Sequence, residues 1–188
     1  ELILTSQTWR GIAWKHQVFV FRPKQVDTSS TQAFLYVDGG RWRETYETGL
    51  DELPRQARIF TRLAETLRAP VAVVRQVPFQ PLFDRREDAL IAYTFDHYLD
   101  TGDADWPLLL PMVKSAVRAM DTVQTVVKYR WQLDIQRFTV AGASKRGTGR
   151  FLSAAPAGDS GAATAASRKR VARKARATAA KCGSKAAA

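Results

Sequence analysis

Ser144 is the residue of this chain whose type and surroundings best suit covalent chemistry. It follows the apolar stretch Phe138 to Ala141, and Gly142 and Gly147 flank it. A serine at a sharp turn from a strand into a helix is displayed as a nucleophile, and the next amide, that of Lys145, can help to hold an oxyanion. The spacing is G-x-S-x-x-G, whereas hydrolase elbows have G-x-S-x-G. The motif therefore indicates either a nucleophile elbow or an ordinary glycine and serine loop.

Alternating strands and helices precede this motif in the order that an elbow requires. Short apolar segments predict strands at residues 17–21, 34–37, 71–74 and 138–141. Amphipathic segments predict helices at residues 55–68, 87–99 and 111–129. This order predicts the α/β class, with a parallel, partial α/β-hydrolase-like sheet and flanking helices, truncated after the elbow.

Each predicted helix has an apolar face that we expect to be buried. On the first helix this face consists of Ile59, Phe60, Leu63, Ala64 and Leu67. On the second it consists of Ile91, Phe95 and Tyr98, and on the third of Val113, Ala116, Val117, Met120, Val123 and Val127.

Polar and glycine residues follow two of the predicted strands, at the edge of the sheet where ligands bind in open α/β folds. Asp38-Gly39-Gly40 follows one strand, and Arg75-Gln76 follows the next. Gly39 and Gly40 either let backbone amides approach a substrate oxyanion or form a plain tight turn. Arg75 and Gln76 either orient an anionic substrate or anchor the proline-rich loop at residues 78–81.

The two histidines of the chain, His16 and His97, both precede Ser144. In α/β-hydrolases the acid and the histidine follow the nucleophile, but after Ser144 the sequence has only one acid, Asp159. We therefore expect Ser144 to lack a proton acceptor and the chain to be inactive or nearly so. We expect His97 to be a partly exposed helix residue and His16 a strand-edge residue.

Many separated segments, in one order along residues 2–147, resemble the PhoPQ-activated pathogenicity-related protein family. They include Leu4 to Trp9, Trp14 to Gln17, Val37 to Gly40, Arg75 to Leu82, Glu87 to Tyr93, Trp106 to Leu108, Lys114 to Asp121 and Gly142 to Gly147. The resemblance implies an exported α/β-hydrolase-like protein, extracellular or periplasmic, associated with virulence and with resistance to cationic antimicrobial peptides. The elbow is also similar to that of glucuronoyl esterases, which share a basic residue after the serine.

The composition changes abruptly after the elbow, which predicts one domain at residues 1–147 and a low-complexity tail at 148–188. Residues 1–144 contain 18 of the 29 basic and 17 of the 18 acidic residues, a net charge of +1, so +10 of the total +11 lies in the last 44 residues. From Thr148 onward, 15 of 41 residues are alanine, a composition typical of disorder. The basic residues there are typical of linker-histone-like tails that bind nucleic acid, or the tail is foreign to the fold, as after a frame shift; the residues concerned are Arg168, Lys169, Arg170, Arg173 and Lys174.

Other classes of function have no sequence support. The chain lacks a spaced Cys and His cluster and a phosphate-binding glycine motif, so we expect no metal and no cofactor. It shows no membrane-spanning run and no signal-peptide pattern, and Cys182 is its single cysteine. The expected ligand is a small-molecule or peptide substrate. We also expect self-association through an unpaired edge at the strand that ends at Ala141.

Overall fold

The protein forms a mixed five-stranded sheet with helices on both faces, in a computed structural model that describes residues 1–48 and 56–143. The predicted α/β class with flanking helices is confirmed. The strand order is β1-β2-β4-β3-β5. In chain order the elements are β1 Leu2–Trp9, β2 Ile12–Phe21, β3 Gln32–Val37, a short 3₁₀ helix Glu44–Glu47, α1 Ala57–Leu67, β4 Val71–Val74, α2 Glu87–Thr101, α3 Leu109–Trp131 and β5 Arg137–Gly142.

The sheet is parallel only where β4, β3 and β5 lie side by side. The prediction of a wholly parallel sheet is wrong, because β2 pairs antiparallel with both β1 and β4. Only Arg10 and Gly11 separate β1 from β2, and their φ values are 52° and 76°. Positive φ at both central residues of a two-residue loop closes a tight hairpin, so these two strands run in opposite directions. The sequence analysis did not predict β1.

Side chains of the central strands point alternately to the two faces of the sheet and form two separate apolar cores. Ala33, Leu35 and Val37 of β3 face the larger core, which α2 and α3 cover, while Phe34 and Tyr36 face the smaller core beneath α1. Successive side chains of a strand point to opposite faces, so a strand buried on both sides is apolar throughout. β4 obeys the same rule, since all four of its residues are buried.

The three predicted helices are confirmed, but the residues that they bury differ from those expected. On α1 the buried residues are Phe60 and Ala64, whereas Ile59 and Leu67 are 64% and 47% exposed. A helix that lies on a sheet buries mainly the rows facing it, and residues four apart form one such row. On α2 the buried residues are Leu90 and Thr94 instead of the predicted Ile91, Phe95 and Tyr98. On α3 burial is confirmed for Ala116, Val123 and Val127, while Val117 is 37% exposed.

β5 occupies one edge of the sheet. It pairs with β3, and within residues 1–48 and 56–143 no strand pairs with its other side. None of the helices in these two ranges is both long enough and apolar enough to cross a membrane. The predicted elbow at Ser144, the tail at 148–188 and the first residue of the first predicted helix lie outside the described residues.

Candidate functional site

The chain leaves β3 and β4 toward opposite faces of the sheet. The segment after β3 leads to α1, which packs on the smaller core, and the segment after β4 leads to α2, on the face of the larger core. Where neighbouring parallel strands send their connections to opposite faces, a crevice opens at their carboxyl ends, and ligands of open α/β sheets bind there. The carboxyl ends of β3 and β4 therefore form the candidate site.

The predicted site residues that the structure describes lie together at this edge. Val37, the last residue of β3, is in register with Val74 of β4 and with Gly142 of β5. Asp38-Gly39-Gly40 and Arg75 therefore begin at the same level of the sheet. The strand that precedes Ser144 in the sequence ends at this level too. Ser144 and Lys145 themselves lie outside the described residues.

Arg75 and Asp38 form an ion pair across the crevice. Arg75 Nε lies 3.5 Å from Asp38 Oδ2, and the two side chains are 27% and 36% exposed. This Nε atom is buried and has no hydrogen-bond partner among the described residues. At 3.5 Å and this exposure the pair contributes at most about 1 kcal/mol to stability. A guanidinium has five N–H donors, so Arg75 retains the capacity to bind a further anion.

The carboxylate of Asp38 also accepts a hydrogen bond from the Gly39 amide, with 2.9 Å between N and Oδ1. Of the two glycines that the sequence analysis considered as amide donors, Gly39 is thus already engaged. The Gly40 amide has no partner within the described residues, and the φ of Gly40 is 115°, a value that favours glycine. A β-carbon at Gly40 would lie 3.7 Å from Arg75 Nη2, so this backbone lies beside the guanidinium.

Gln76 holds the two loops against β2. It is fully buried, with a φ of 57°, an uncommon conformation for a residue other than glycine. Its side chain accepts from the Gln17 amide at 2.9 Å and donates to Gln17 Oε1 at 2.8 Å, and its own amide donates to Gly39 O at 3.0 Å. A strained residue that several hydrogen bonds hold in place often marks a functional site. The position of Gln76 at this edge is predictable from the sequence, but its hydrogen bonds to β2 are not.

The side chain of Gln80 ties the proline-rich loop to the site. Its Nε2 donates to Gly40 O at 3.0 Å, and the Gln80 carbonyl accepts from the Trp42 amide at 3.0 Å. The peptide bonds before Pro78 and Pro81 are cis. The structure thus gives Gln80 the anchoring contact that the sequence analysis had considered for Arg75.

His16 lies at the centre of a buried polar cluster, so the expectation of a strand-edge residue is wrong. β1 pairs with β2, so β2 is an interior strand, and the imidazole is fully buried next to Ser6 of β1. Its Nε2 lies 2.9 Å from Ser6 Oγ, and its Nδ1 lies 3.0 Å from the Arg75 carbonyl oxygen. Burial lowers the pKa of His16 from 6.5 to about 4, although hydrogen bonds to the backbone of Arg75 and Gln76 oppose the shift. His16 is therefore neutral near pH 7, with both nitrogens engaged.

His97 is partly exposed on α2, as predicted. Its ring stacks on Trp106 with 4.4 Å between centroids and meets the edge of Tyr93 at 4.3 Å. Arg10 and Arg85 cover the outer faces of these two aromatic rings, each at 4.3 Å from a centroid. Because its partners are aromatic, His97 belongs to a stacked surface cluster that reinforces the contact between α2 and the β1–β2 turn.

Within the described ranges, no three His, Cys, Asp or Glu side chains gather as metal ligands would. The basic residues considered for nucleic-acid binding all lie outside those ranges; they are Arg168, Lys169, Arg170, Arg173 and Lys174.

Comparison with known proteins reveals one family. The family model described as PhoPQ-activated pathogenicity-related protein matches residues 1–164, which extends past the end of the resemblance at residue 147. Autocrine proliferation repressor protein A of Dictyostelium discoideum is 36% identical over 162 residues, covering 78% of this chain and 30% of that protein. The chain therefore spans about 30% of the length of this relative. No solved structure matches the chain.

Proposed function

The chain belongs to the PhoPQ-activated pathogenicity-related protein family, and we propose that it supplies the nucleophile and the anion-binding side of an α/β-hydrolase-like serine hydrolase site. The observation that carries this proposal is the approach of the Gly40 backbone to the Arg75 guanidinium at the carboxyl ends of the parallel strands β3 and β4. β5, whose last residue is two positions before Ser144, ends at the same level.

The proposed chemistry is acyl transfer to Ser144. The Ser144 hydroxyl would attack a substrate carbonyl carbon, and the amides of Gly40 and Lys145 would donate hydrogen bonds to the oxyanion that forms. In this proposal Gly39 supports the loop through Asp38 and does not bind the oxyanion directly. A negatively charged group of the substrate would pair with Arg75, and the Lys145 side chain would steer it toward the serine. The substrate class is therefore an ester or amide that carries a carboxylate or a similar anion.

The proton acceptor is the part of the site that these 188 residues do not supply in the usual position. No histidine follows Ser144 in the sequence. Both ring nitrogens of His16 already bond to Ser6 and Arg75, and a pKa of about 4 makes this imidazole a weak base. We propose that a polypeptide of these residues binds anionic ligands but does not turn over esters at enzyme rates.

An extracellular or periplasmic location belongs to the same proposal. It rests on the family resemblance, and the word autocrine in the name of the Dictyostelium relative supports it. Virulence and resistance to cationic antimicrobial peptides, which the resemblance implies, would be the biological setting of the activity in a bacterial source. Self-association through the edge of β5 that no described strand pairs with is also proposed.

Titration with benzoate tests the proposed anion site. We expect the amide resonances of Gly39 and Gly40 and the Arg75 Nε resonance to shift together in ¹⁵N NMR spectra. Arg75→Gln should weaken the affinity for benzoate by about tenfold, because it removes a charge-assisted contact. Arg10→Gln is the matched control, since Arg10 forms an ion pair with Asp103 and has no contact with this edge.

Asp38→Asn should strengthen benzoate binding by about threefold, because it removes a competing carboxylate from Arg75. The NMR measurement is the same, and Asp103→Asn controls for the change in net charge. Equal affinities in the parent and in Arg75→Gln would contradict the assignment of Arg75. Shifts centred on residues far from this edge would contradict the site itself.

Nucleic-acid binding through the basic residues 168–174 is the second candidate. Its support is that this segment lies outside the family match at residues 1–164 and within the region that holds +10 of the net charge. Retardation of DNA that requires residues 148–188 and weakens steeply with salt would be its signature.

A further inference from the structure

His16 connects the candidate site to the far side of β2. Its Nδ1 faces the carbonyl oxygen of Arg75 at 3.0 Å. A carbonyl oxygen only accepts hydrogen bonds, so the neutral imidazole carries its hydrogen on Nδ1 and presents a lone pair on Nε2. Ser6 Oγ, 2.9 Å from Nε2, is then the donor to His16. The geometry thus selects one tautomer of a fully buried histidine.

The same chain of hydrogen bonds continues to α3. Ser115 Oγ lies 3.2 Å from Ser6 Oγ and 3.0 Å from the Pro111 carbonyl, and Ser115 is fully buried. Gln7 Nε2 donates to both Ser115 Oγ and Pro111 O, at 3.3 Å and 2.7 Å. Each member therefore has a partner, which is the condition for a buried polar network to be rigid. Strands β1 and β2, helix α3 and the residue after β4 are joined through these bonds.

Hydrogen bonds hold the main chain of Arg75 on both sides of its α-carbon. Its amide donates to Gln17 O at 2.9 Å, and its carbonyl accepts from His16. The next residue, Gln76, has a φ of 57°, so the chain turns sharply directly after Arg75. Because hydrogen bonds hold the peptide units on both sides of the Arg75 α-carbon, the side chain of Arg75 starts from a fixed position. From this fixed main chain the guanidinium of Arg75 extends to Asp38 and Gly40.

We infer that His16 is a positioning residue for Arg75: its Nδ1 hydrogen bond to the Arg75 carbonyl aims the guanidinium at the anion of the substrate. This inference rests on the proposed function of Arg75. It assigns His16 no contact with substrate. Its physical basis is that a ligand site needs side chains whose own positions are locked by the residues behind them.

The test compares two amide replacements of His16 that place a donor at different positions. The side-chain amide of His16→Asn can occupy the place of Nδ1 and restore the bond to Arg75, whereas that of His16→Gln reaches only the place of Nε2. We expect His16→Gln to weaken benzoate binding by about tenfold and His16→Asn to stay within about threefold of the parent. Ser6→Ala is the control, because it removes a buried hydrogen bond of the network but leaves the Nδ1 contact intact.

A second measurement uses the unaltered chain, so the inference stays testable if a His16 variant does not fold. The ¹⁵N chemical shifts of His16 report its tautomer, and we expect Nδ1 to be protonated, with a coupling across the hydrogen bond to the Arg75 carbonyl carbon. An Nε2-protonated ring would overturn the inference. Equal affinities for benzoate in His16→Gln, His16→Asn and the parent would also overturn it and leave the proposed function standing. Absence of benzoate binding in the parent would overturn the role of Arg75 itself.

Discussion

Lowering the pH from 7 to 4 should reduce the free energy of unfolding by about 3 kcal/mol through His16 alone. Burial lowers the pKa of this histidine from 6.5 to about 4 in the folded chain. The unfolded chain therefore binds the proton first, as pH falls through 6.5, while the folded chain stays neutral. The contribution of His16 to the free energy of unfolding is fully present above pH 6.5. It declines between pH 6.5 and about 4, and it changes no further at lower pH.

Urea unfolding at several pH values measures this effect. His16→Asn should flatten the profile between pH 6.5 and 4, because it removes the group whose pKa differs between the folded and the unfolded chain in that range. Carboxylates affect the free energy of unfolding at lower pH. Hydrogen bonding from Arg10, for example, lowers the pKa of Asp103 from 3.8. The stability due to Asp103 is present above pH 3.8 and is lost as pH falls below it. An equal slope between pH 6.5 and 4 in the parent and in His16→Asn would contradict the assignment.

Leu35→Ala should destabilise the fold by about 2–5 kcal/mol. Leu35 is fully buried in β3, the strand between β4 and β5, and it belongs to the larger core. Its truncation leaves a cavity next to the strand from which the Asp38 loop begins. Because domains are stable by only about 5–15 kcal/mol, this loss would remove a large part of the total.

The same chemical change at an exposed position is the control for Leu35. Leu99 on α2 is 66% exposed, and Leu99→Ala should change stability by less than about 0.5 kcal/mol. Urea midpoints of the two variants, at constant slope, give the comparison. A loss below about 1 kcal/mol for Leu35→Ala would mean that β3 is not a core strand.

The elements of the fold that the sequence predicted well are those with a complete local pattern. β4 is apolar at all four positions, and α3 repeats its buried apolar residues from Pro111 to Val127. β1 and the direction of β2 were missed because a hairpin signal lies in only two residues, Arg10 and Gly11, and arginine is not a typical residue for a positive φ. Gly11, between Trp9 and Ile12, was the residue in the sequence that indicated a turn between β1 and β2.

The candidate site was predictable in position but not in its internal contacts. Parallel strands that end together place Gly40 and Arg75 at one edge, and the sequence suffices for that inference. The engagement of the Gly39 amide by Asp38 depends on a side-chain rotamer, which no sequence pattern records. β2 is an interior strand because β1 pairs with it, so missing the first strand also meant misplacing His16 at a strand edge.

The most direct test of the central claim is covalent labelling of Ser144 by a fluorophosphonate, followed by mass spectrometry of the intact chain and of its peptides. The serine oxygen bonds to phosphorus, fluoride leaves, and the hydroxyl proton passes to solvent. Hydrolase sites that lack triad members keep roughly 10³-fold catalysis over water, so slow labelling is expected even without a downstream histidine. The account predicts one slow adduct at Ser144, lost in Ser144→Ala and kept in the control Ser153→Ala. An unlabelled Ser144, or an adduct that survives in Ser144→Ala, would contradict it.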